Sequence, residues 1–378
     1  MPRENASGAR KSHPRRRGKQ GPLYAAVDLG TNNCRLLIAR RDGETFRVVD
    51  SYSQVVRLGE GLAATGRLSE AAMARGYKAM SAIKAKLKQN RVAHTRCVAT
   101  EACRKAANGK DFITEARERT GLNFRIIGPK EEARLAAIGC HDLFEPDANL
   151  VMVLDIGGGS TEVAFINLSE RGDTGLAGLI KSTPIDAWHS FPLGVVTLTE
   201  DFQSADEDAM YEAMYAHASK MLGKWKAGEA FYDKMASADA HMVGTSGTVT
   251  CLAGVHLGLQ LYQRSRVDGM WMRREEALQV INRLKSAGRD GRIALPTVGR
   301  DRADLMMSGC AILQAACSLW PTERLRVADR GLREGLLLSM MHGPGRRRRR
   351  NNRRRNRVAA DVSSDTAGQN QRGVPHDG

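Results

Sequence analysis

The sequence predicts an α/β protein made of two related units that face one cleft, and three observations carry that prediction. Short β-type runs alternate with amphipathic helical stretches from Leu23 to Met341. The segment Val27-Asp28-Leu29-Gly30-Thr31-Asn32-Asn33 is echoed 127 residues later by Leu154-Asp155-Ile156-Gly157-Gly158-Gly159-Ser160-Thr161. Each copy leads into an apolar strand-like run, Leu36-Leu37-Ile38 and Ala164-Phe165-Ile166. An interval of that size is about one domain, so the echo reads as a duplicated unit whose two copies open with the same hairpin.

Taken in order, Leu23–Asp28, Cys34–Arg40 and Thr45–Ser51 read as three strands, with a turn at Asp42-Gly43. Ser69–Gln89 repeats Met73, Tyr77, Met80, Ile83 and Leu87 at helical spacing behind a Ser cap, with Glu70 in the first turn. Val92–Ala99 is a strand, Lys110–Thr120 a helix and Phe124–Ile127 a strand; Glu131–Leu143 is a helix entered through Gly128-Pro129. The loop Glu145–Asn149 closes the first half. The second half restarts with strands at Leu150–Asp155 and Thr161–Leu168, and a third is expected within Leu176–Ile185. Helix Asp206–Lys226, strand His241–Gly244 and helix Thr248–Gly258 follow. Helices around Arg273–Lys285 and Asp301–Leu319, strand Leu325–Ala328 and closing helix Gly331–Met341 complete the plan.

A chain of 378 residues, 42% hydrophobic and 5% aromatic, can build two cores of ordinary α/β composition. No apolar run reaches the roughly 20 residues needed to span a bilayer, and the basic start lacks a signal-type apolar stretch. A cytoplasmic location is therefore expected. The seven cysteines are scattered, form no CxxC pair and read as buried reduced thiols.

The net charge of +16 suggests a nucleic-acid binder until it is located. Residues 1–21 carry +6 and residues 346–378 carry +7, which leaves +3 for the body. The basicity belongs to two tails whose composition predicts disorder. They read either as solubilising appendages or as loose polyanion binders acting by counterion release, with nucleic acid bound only non-specifically if at all. The chain thus divides into a tail at 1–21, units at 22–145 and 146–342, and an arginine-rich tail at 343–378.

Each echoed segment is strand, acidic residue, glycine turn, strand. Glycine lets backbone amides approach a phosphate, and Thr31, Asn32, Asn33, Ser160 and Thr161 add side-chain donors. Asp28 and Asp155 sit where a carboxylate could hold a metal. One such hairpin is ordinary turn chemistry; two facing each other would grip a chain of phosphates from both sides. A third turn, Gly244-Thr245-Ser246-Gly247-Thr248, follows a strand and opens a helix, as at an anion or nucleotide site. No GxxxxGK[ST] occurs, so the grip is not a Walker loop.

Together these segments resemble the two phosphate motifs and the adenosine motif of the actin, hexokinase and heat-shock chaperone superfamily, whose domains are ribonuclease H-like. Within it, the chain resembles the exopolyphosphatase/guanosine pentaphosphatase (Ppx/GppA) family. The carrying segments are Ala26–Asn32, Ala99–Arg104, Ile127–Arg134, Asp155–Glu162 and Asp329–Gly335. The resemblance covers Leu23 to Met341 and implies a short form without the C-terminal HD-like extension of longer members. It implies a general base at Glu132, a metal-associated aspartate at Asp155 holding Mg²⁺, an acidic partner at Glu162 and a phosphate-contacting Arg104. Phosphate-binding positions would be Asp28, Gly30, Thr31, Asn32, Asn33, Gly157, Gly158, Gly159, Ser160, Thr161, Gly244, Ser246 and Gly247. It further implies that the closing helix 331–341 returns to the first unit, and a bacterial, homodimeric hydrolase of polyphosphate. Guanosine pentaphosphate is the alternative substrate. A sugar or acetate kinase and an ATP-driven chaperone or filament module are the rival readings of the same fold.

Overall fold

The computed structural model describes residues 21–169 and 175–343. Apart from Gly21 and Gly343, both basic tails lie outside the described residues. Two sheets organise the chain. The first runs β3-β2-β1-β4-β5, with β1 Leu23–Leu29, β2 Asn33–Asp42, β3 Thr45–Val55, β4 His94–Ala99 and β5 Phe124–Ile126. The second runs β10-β11-β9-β6-β7-β8, with β6 Leu150–Ile156, β7 Thr161–Asn167, β8 Ile185–Phe191, β9 Ala240–Thr245, β10 Trp271–Arg273 and β11 Arg324–Ala328.

The duplication extends well beyond the echoed residues. Read outward from the first strand, β3-β2-β1-β4-β5 and β8-β7-β6-β9-β11 have the same order and the same strand directions. Both second strands carry a register shift at the matching place, Ile38/Ala39 and Phe165/Ile166. Such bulges sharpen the twist and bend the strand. The second sheet adds one edge strand, β10, antiparallel to β11.

The strand expected within Leu176–Ile185 is a correction. Leu176–Lys181 is helical, and the third strand is Ile185–Phe191. Leu176, Leu179 and Ile180 are buried at i, i+3, i+4, a helical stripe rather than an alternating one. The helix expected at Glu131–Leu143 ends at Gly139, and a 3-10 turn covers His141–Leu143. The short helix Glu101–Lys105 and strand β10 had no counterpart in the sequence reading. Ser69 caps Glu70–Gln89 by accepting from the Ala72 amide, as its type and place suggest.

In each sheet the last parallel strand feeds a helix that packs on the other sheet. Pro129–Gly139 follows β5, yet its Ala133, Ala136 and Ala137 pack with Val151, Val153, Ala164 and Ile166. Leu332–His342 follows β11, and its Leu336, Leu337 and Met341 pack with Tyr24, Ala26 and Leu37 of the first sheet. The two helices cross closely: a Cβ on Gly139 would lie 1.9 Å from the Gly331 carbonyl, and one on Gly335 2.0 Å from the Leu135 carbonyl. Only glycine fits there without moving the helices apart. This exchange brings the start of each helix to the junction between the sheets.

Candidate active site

Both glycine hairpins close with the same backbone bond. Gly30 N–H donates to Asn33 O at 2.9 Å, and Gly157 N–H donates to Ser160 O at 2.8 Å. The loop carbonyls are tied outward: Asn32 O accepts from Val56 and Arg57, and Gly158 O accepts from Val196. The amides of Thr31, Asn32, Gly158 and Gly159 are not used in closing the turns. The loops meet, since a Cβ on Gly158 would lie 3.0 Å from Thr31 Cβ, and one on Gly159 2.9 Å from Thr31 Oγ1.

Between the sheets lies a cavity of about 570 Å³. Asp28, Gly30, Thr31, Asn32 and Asn33 line it from the first hairpin; Asp155, Gly157, Gly158, Gly159 and Ser160 line it from the second. Glu132 joins them from the first turn of Pro129–Gly139, and Ser246 and Gly247 from the third turn. Ser246 caps the helix Gly247–His256, its hydroxyl accepting from the Thr248 and Val249 amides at 3.1 and 3.2 Å.

Other expected residues stand behind this surface. Thr161 donates its hydroxyl to Leu193 O at 2.6 Å, fixing the loop, and Gly244 is inside β9. Glu162 is 3% exposed and accepts from Ser190 at 2.7 Å. Arg104 Nη1 donates to Glu132 Oε2 at 3.1 Å and to Ile127 O at 2.7 Å. Glu131 faces away from Glu132 and pairs with Arg125 and with Arg96. That divergence follows from the roughly 100° between successive helical residues.

Burial and crowding set the electrostatics. Glu132 has its carboxyl held well above the usual range by burial and by Glu162, against the pull of Arg104. Asp155 is pushed up to about 8 by burial, then by Glu162 and Asp28. Glu162 is raised by burial, against hydrogen bonds from Ser190 and Ser160. Asp28 is raised by burial as well, but Arg35 and Arg333 oppose the rise.

Asp155 and Glu162 are direct cross-strand partners, with Cβ atoms about 4.5–5.5 Å apart in such pairs. Two carboxylates placed side by side repel, and Glu162 is, after burial, the largest cause of the Asp155 rise. A crowded set of hard oxygen donors of this kind suits a divalent cation such as Mg²⁺. Among the described residues no group of three or more His, Cys, Asp or Glu forms a metal cage. Mg²⁺ does not need one, because it keeps waters and takes substrate phosphate oxygens beside one or two carboxylates. Asp155, with Asp28 opposite, fits that pattern.

Several cavity residues were given no role from the sequence: Arg35 and Arg302 lie outside the motif segments, whereas Glu101, Arg333 and Glu334 lie inside them. Arg35 stands directly opposite Asp28 in the hairpin register, a signal present in the sequence once the hairpin is accepted. Arg302 comes from the helix Arg300–Leu319 and donates to Cys251 Sγ at 3.1 Å. Glu334 caps its own helix by accepting from Gly331 N–H at 2.9 Å. No helix among the described residues is long and apolar enough to cross a membrane.

Residues 37–343 match the sequence model of the Ppx/GppA phosphatase family. The Aquifex aeolicus member of the Ppx/GppA family is 25% identical with a TM-score of 0.68, the match covering 85% of this chain and 97% of that one. An exopolyphosphatase-like protein is 27% identical with a TM-score of 0.72, covering 85% and 98%. A Cytophaga hutchinsonii exopolyphosphatase has a TM-score of 0.74 over 85% and 98%; at 22% identity that likeness speaks to the fold.

Proposed function

Because the chain belongs to the Ppx/GppA phosphatase family and has its two-domain actin-like fold, we propose that it is an exopolyphosphatase. It hydrolyses the terminal phosphoanhydride of inorganic polyphosphate and releases orthophosphate. The observation that carries this reading is the convergence of two amide-bearing glycine loops and one buried carboxylate, Glu132, on a single cavity.

The loop amides at Thr31, Asn32, Gly158 and Gly159 take the oxygens of the terminal phosphoryl group. Glu132, fixed through Oε2 by Arg104, orients a water with its remaining carboxylate lone pairs. The water oxygen bonds to phosphorus as the bridging P–O bond breaks. Glu132 accepts the water proton, and the shortened chain leaves as the phosphate anion. A raised carboxyl suits this work, because burial makes Glu132 a stronger base than an ordinary glutamate. Mg²⁺, held by Asp155, would neutralise charge on the phosphate oxygens.

One feature favours guanosine pentaphosphate as a second reading. Beside the third turn the cavity wall is apolar, with Tyr262, Pro296, Val298, Leu305 and Met306, a surface suited to a purine. Orthophosphate release measured across polyphosphate lengths and guanosine pentaphosphate tests both. Preference for the nucleotide selects the second reading, and phosphate release from neither sinks both. Nucleotide-dependent assembly without phosphate release would turn the site into a chaperone or filament module.

A further inference from the structure

Arg104 is held on two sides. Glu101 Oε2 takes its Nε at 3.0 Å and its Nη2 as well, while Nη1 reaches Glu132 Oε2 and Ile127 O. The other Glu101 oxygen pairs with Lys105 at 2.8 Å. Three N–H groups of one planar guanidinium are therefore committed to two glutamates, and the plane of the fork fixes where Nη1 points. Glu101 itself is 7% exposed, lines the cavity and lies against the second hairpin, where a Cβ on Gly159 would be 3.3 Å from its Cγ.

We propose that Glu101 is a positioning residue: it locks Arg104 as a strut that aims Glu132 at the reacting water, so that Arg104 acts through Glu132 instead of gripping phosphate. The inference rests on the exopolyphosphatase reading and names two residues whose work is transmitted, not direct. Geometry carries it. Arg104 is absent from the cavity lining, whereas both glutamates that it joins are present there. Glu101 opens a helix of five residues, Glu101–Lys105, so the strut begins at a strand end in one unit. Through Gly159 it also touches the loop of the other unit. A displacement of the base by about 1 Å costs about 10²-fold in rate.

The groups facing Glu132 are Arg104, Glu162 and Asp155, with Glu101 one step behind Arg104. Removing the Glu101 charge leaves Arg104 less neutralised, so Arg104 draws the Glu132 carboxyl downward. The acid limb of the rate profile should then move to lower pH.

The test uses the full chain and steady-state orthophosphate release from polyphosphate, with Glu101→Gln, Arg104→Lys and, as a control, Glu131→Gln. Thermal melts report whether each variant is folded. Glu101→Gln should lower kcat about 10- to 100-fold with KM within about twofold, and shift the acid limb to lower pH. Arg104→Lys keeps the charge without the fork and should show the same kcat-weighted loss. Glu131→Gln should match the wild type. A rise in KM with kcat intact would mean that Arg104 or Glu101 holds substrate, and would overturn the strut. So would a loss that tracks unfolding with the acid limb unmoved. A wild-type protein inactive on polyphosphate overturns the functional reading instead, whereas an active wild type with an equally active Glu101→Gln overturns only this inference.

Discussion

The two glycine hairpins share strand order, closing hydrogen bond and bulge, yet they differ in the residue that faces the aspartate. In the first, Asp28 is paired with Arg35; in the second, the corresponding register places Asp155 opposite Glu162. One hairpin is therefore close to neutral at its tip, and the other carries two carboxylates. The consequence is visible in the titration of the aspartates. Both rise through burial, but Arg35 restrains Asp28, whereas Glu162 pushes Asp155 up to about 8. Glu132 enters beside the second pair and is raised by burial and then by Glu162. Duplication supplied the same backbone cradle twice, and one register position left one copy close to neutral at its tip and made the other acidic.

Breaking the acidic side should have the largest effect. Glu132→Gln preserves size and hydrogen bonding, and should lower kcat by about two to four orders of magnitude while polyphosphate binding survives. Comparable activity in Glu132→Gln and wild type would move the base elsewhere and dissolve the contrast between the hairpins.

Next comes the neutral side. Arg35→Gln leaves Asp28 with Arg333 as its opposing charge and should raise KM about 10- to 100-fold, the scale of a lost charged hydrogen bond, with a smaller change in kcat. A loss confined to kcat would make the first hairpin chemical as well. Initial rates against substrate concentration separate the two.

A smaller effect is expected from the metal and from pH. Asp155→Asn should raise the Mg²⁺ concentration for half-maximal activity about tenfold, roughly the share of one carboxylate among several ligands; EDTA without effect on wild-type hydrolysis would reject the cation. In metal-free protein the same residue gives a stability signature. Its carboxyl is raised in the folded state, so the stabilisation is full below the unfolded value of about 4 and is lost as pH climbs through 8. Thermal midpoints of the metal-free wild type should therefore fall between about pH 5 and about pH 9, and Asp155→Asn should flatten that fall. Parallel curves would show that Asp155 is not protonated in the fold.

The mildest comparison concerns glycine itself. A Cβ on Gly159 meets Thr31 Oγ1 at 2.9 Å, whereas one on Gly30 meets only the Asn33 carbonyl at 3.4 Å. Gly159→Ala should cost about 1–3 kcal/mol of stability, as overpacking does, and Gly30→Ala less. Equal denaturation midpoints would mean that the hairpins do not press together in solution.

Much of this was legible in the chain. An aspartate at a strand end followed by a glycine turn and a second apolar run, repeated once, located both loops, and Gly128-Pro129 ahead of Glu131-Glu132 located the helix that carries the candidate base. These are local patterns, fixed by backbone angles and by helical or strand periodicity, and a sequence displays them directly. Leu176–Lys181 misled because a short apolar run carries either periodicity, and only the packing of Leu176, Leu179 and Ile180 decides between them.

What tertiary structure alone decided is which side chains meet. The crossing of Pro129–Gly139 with Leu332–His342 depends on Gly139 and Gly335, which are distant in sequence, so that nothing along the chain shows them meeting. Arg302 and Arg333 reach the cavity from segments more than 150 residues beyond the first hairpin's glycines. Arg104 donates to both Glu101 and Glu132, a meeting with Glu132 that its motif does not show. Sequence by itself determined the two cradles and their aspartates, because each is built from neighbours along the chain. Arg35 and Glu162 follow from the hairpin register, but the fold decided the burial of each cradle and the approach of Arg333 and Glu132, because desolvation and long-range Coulomb interaction depend on distances through space that no spacing along a chain encodes.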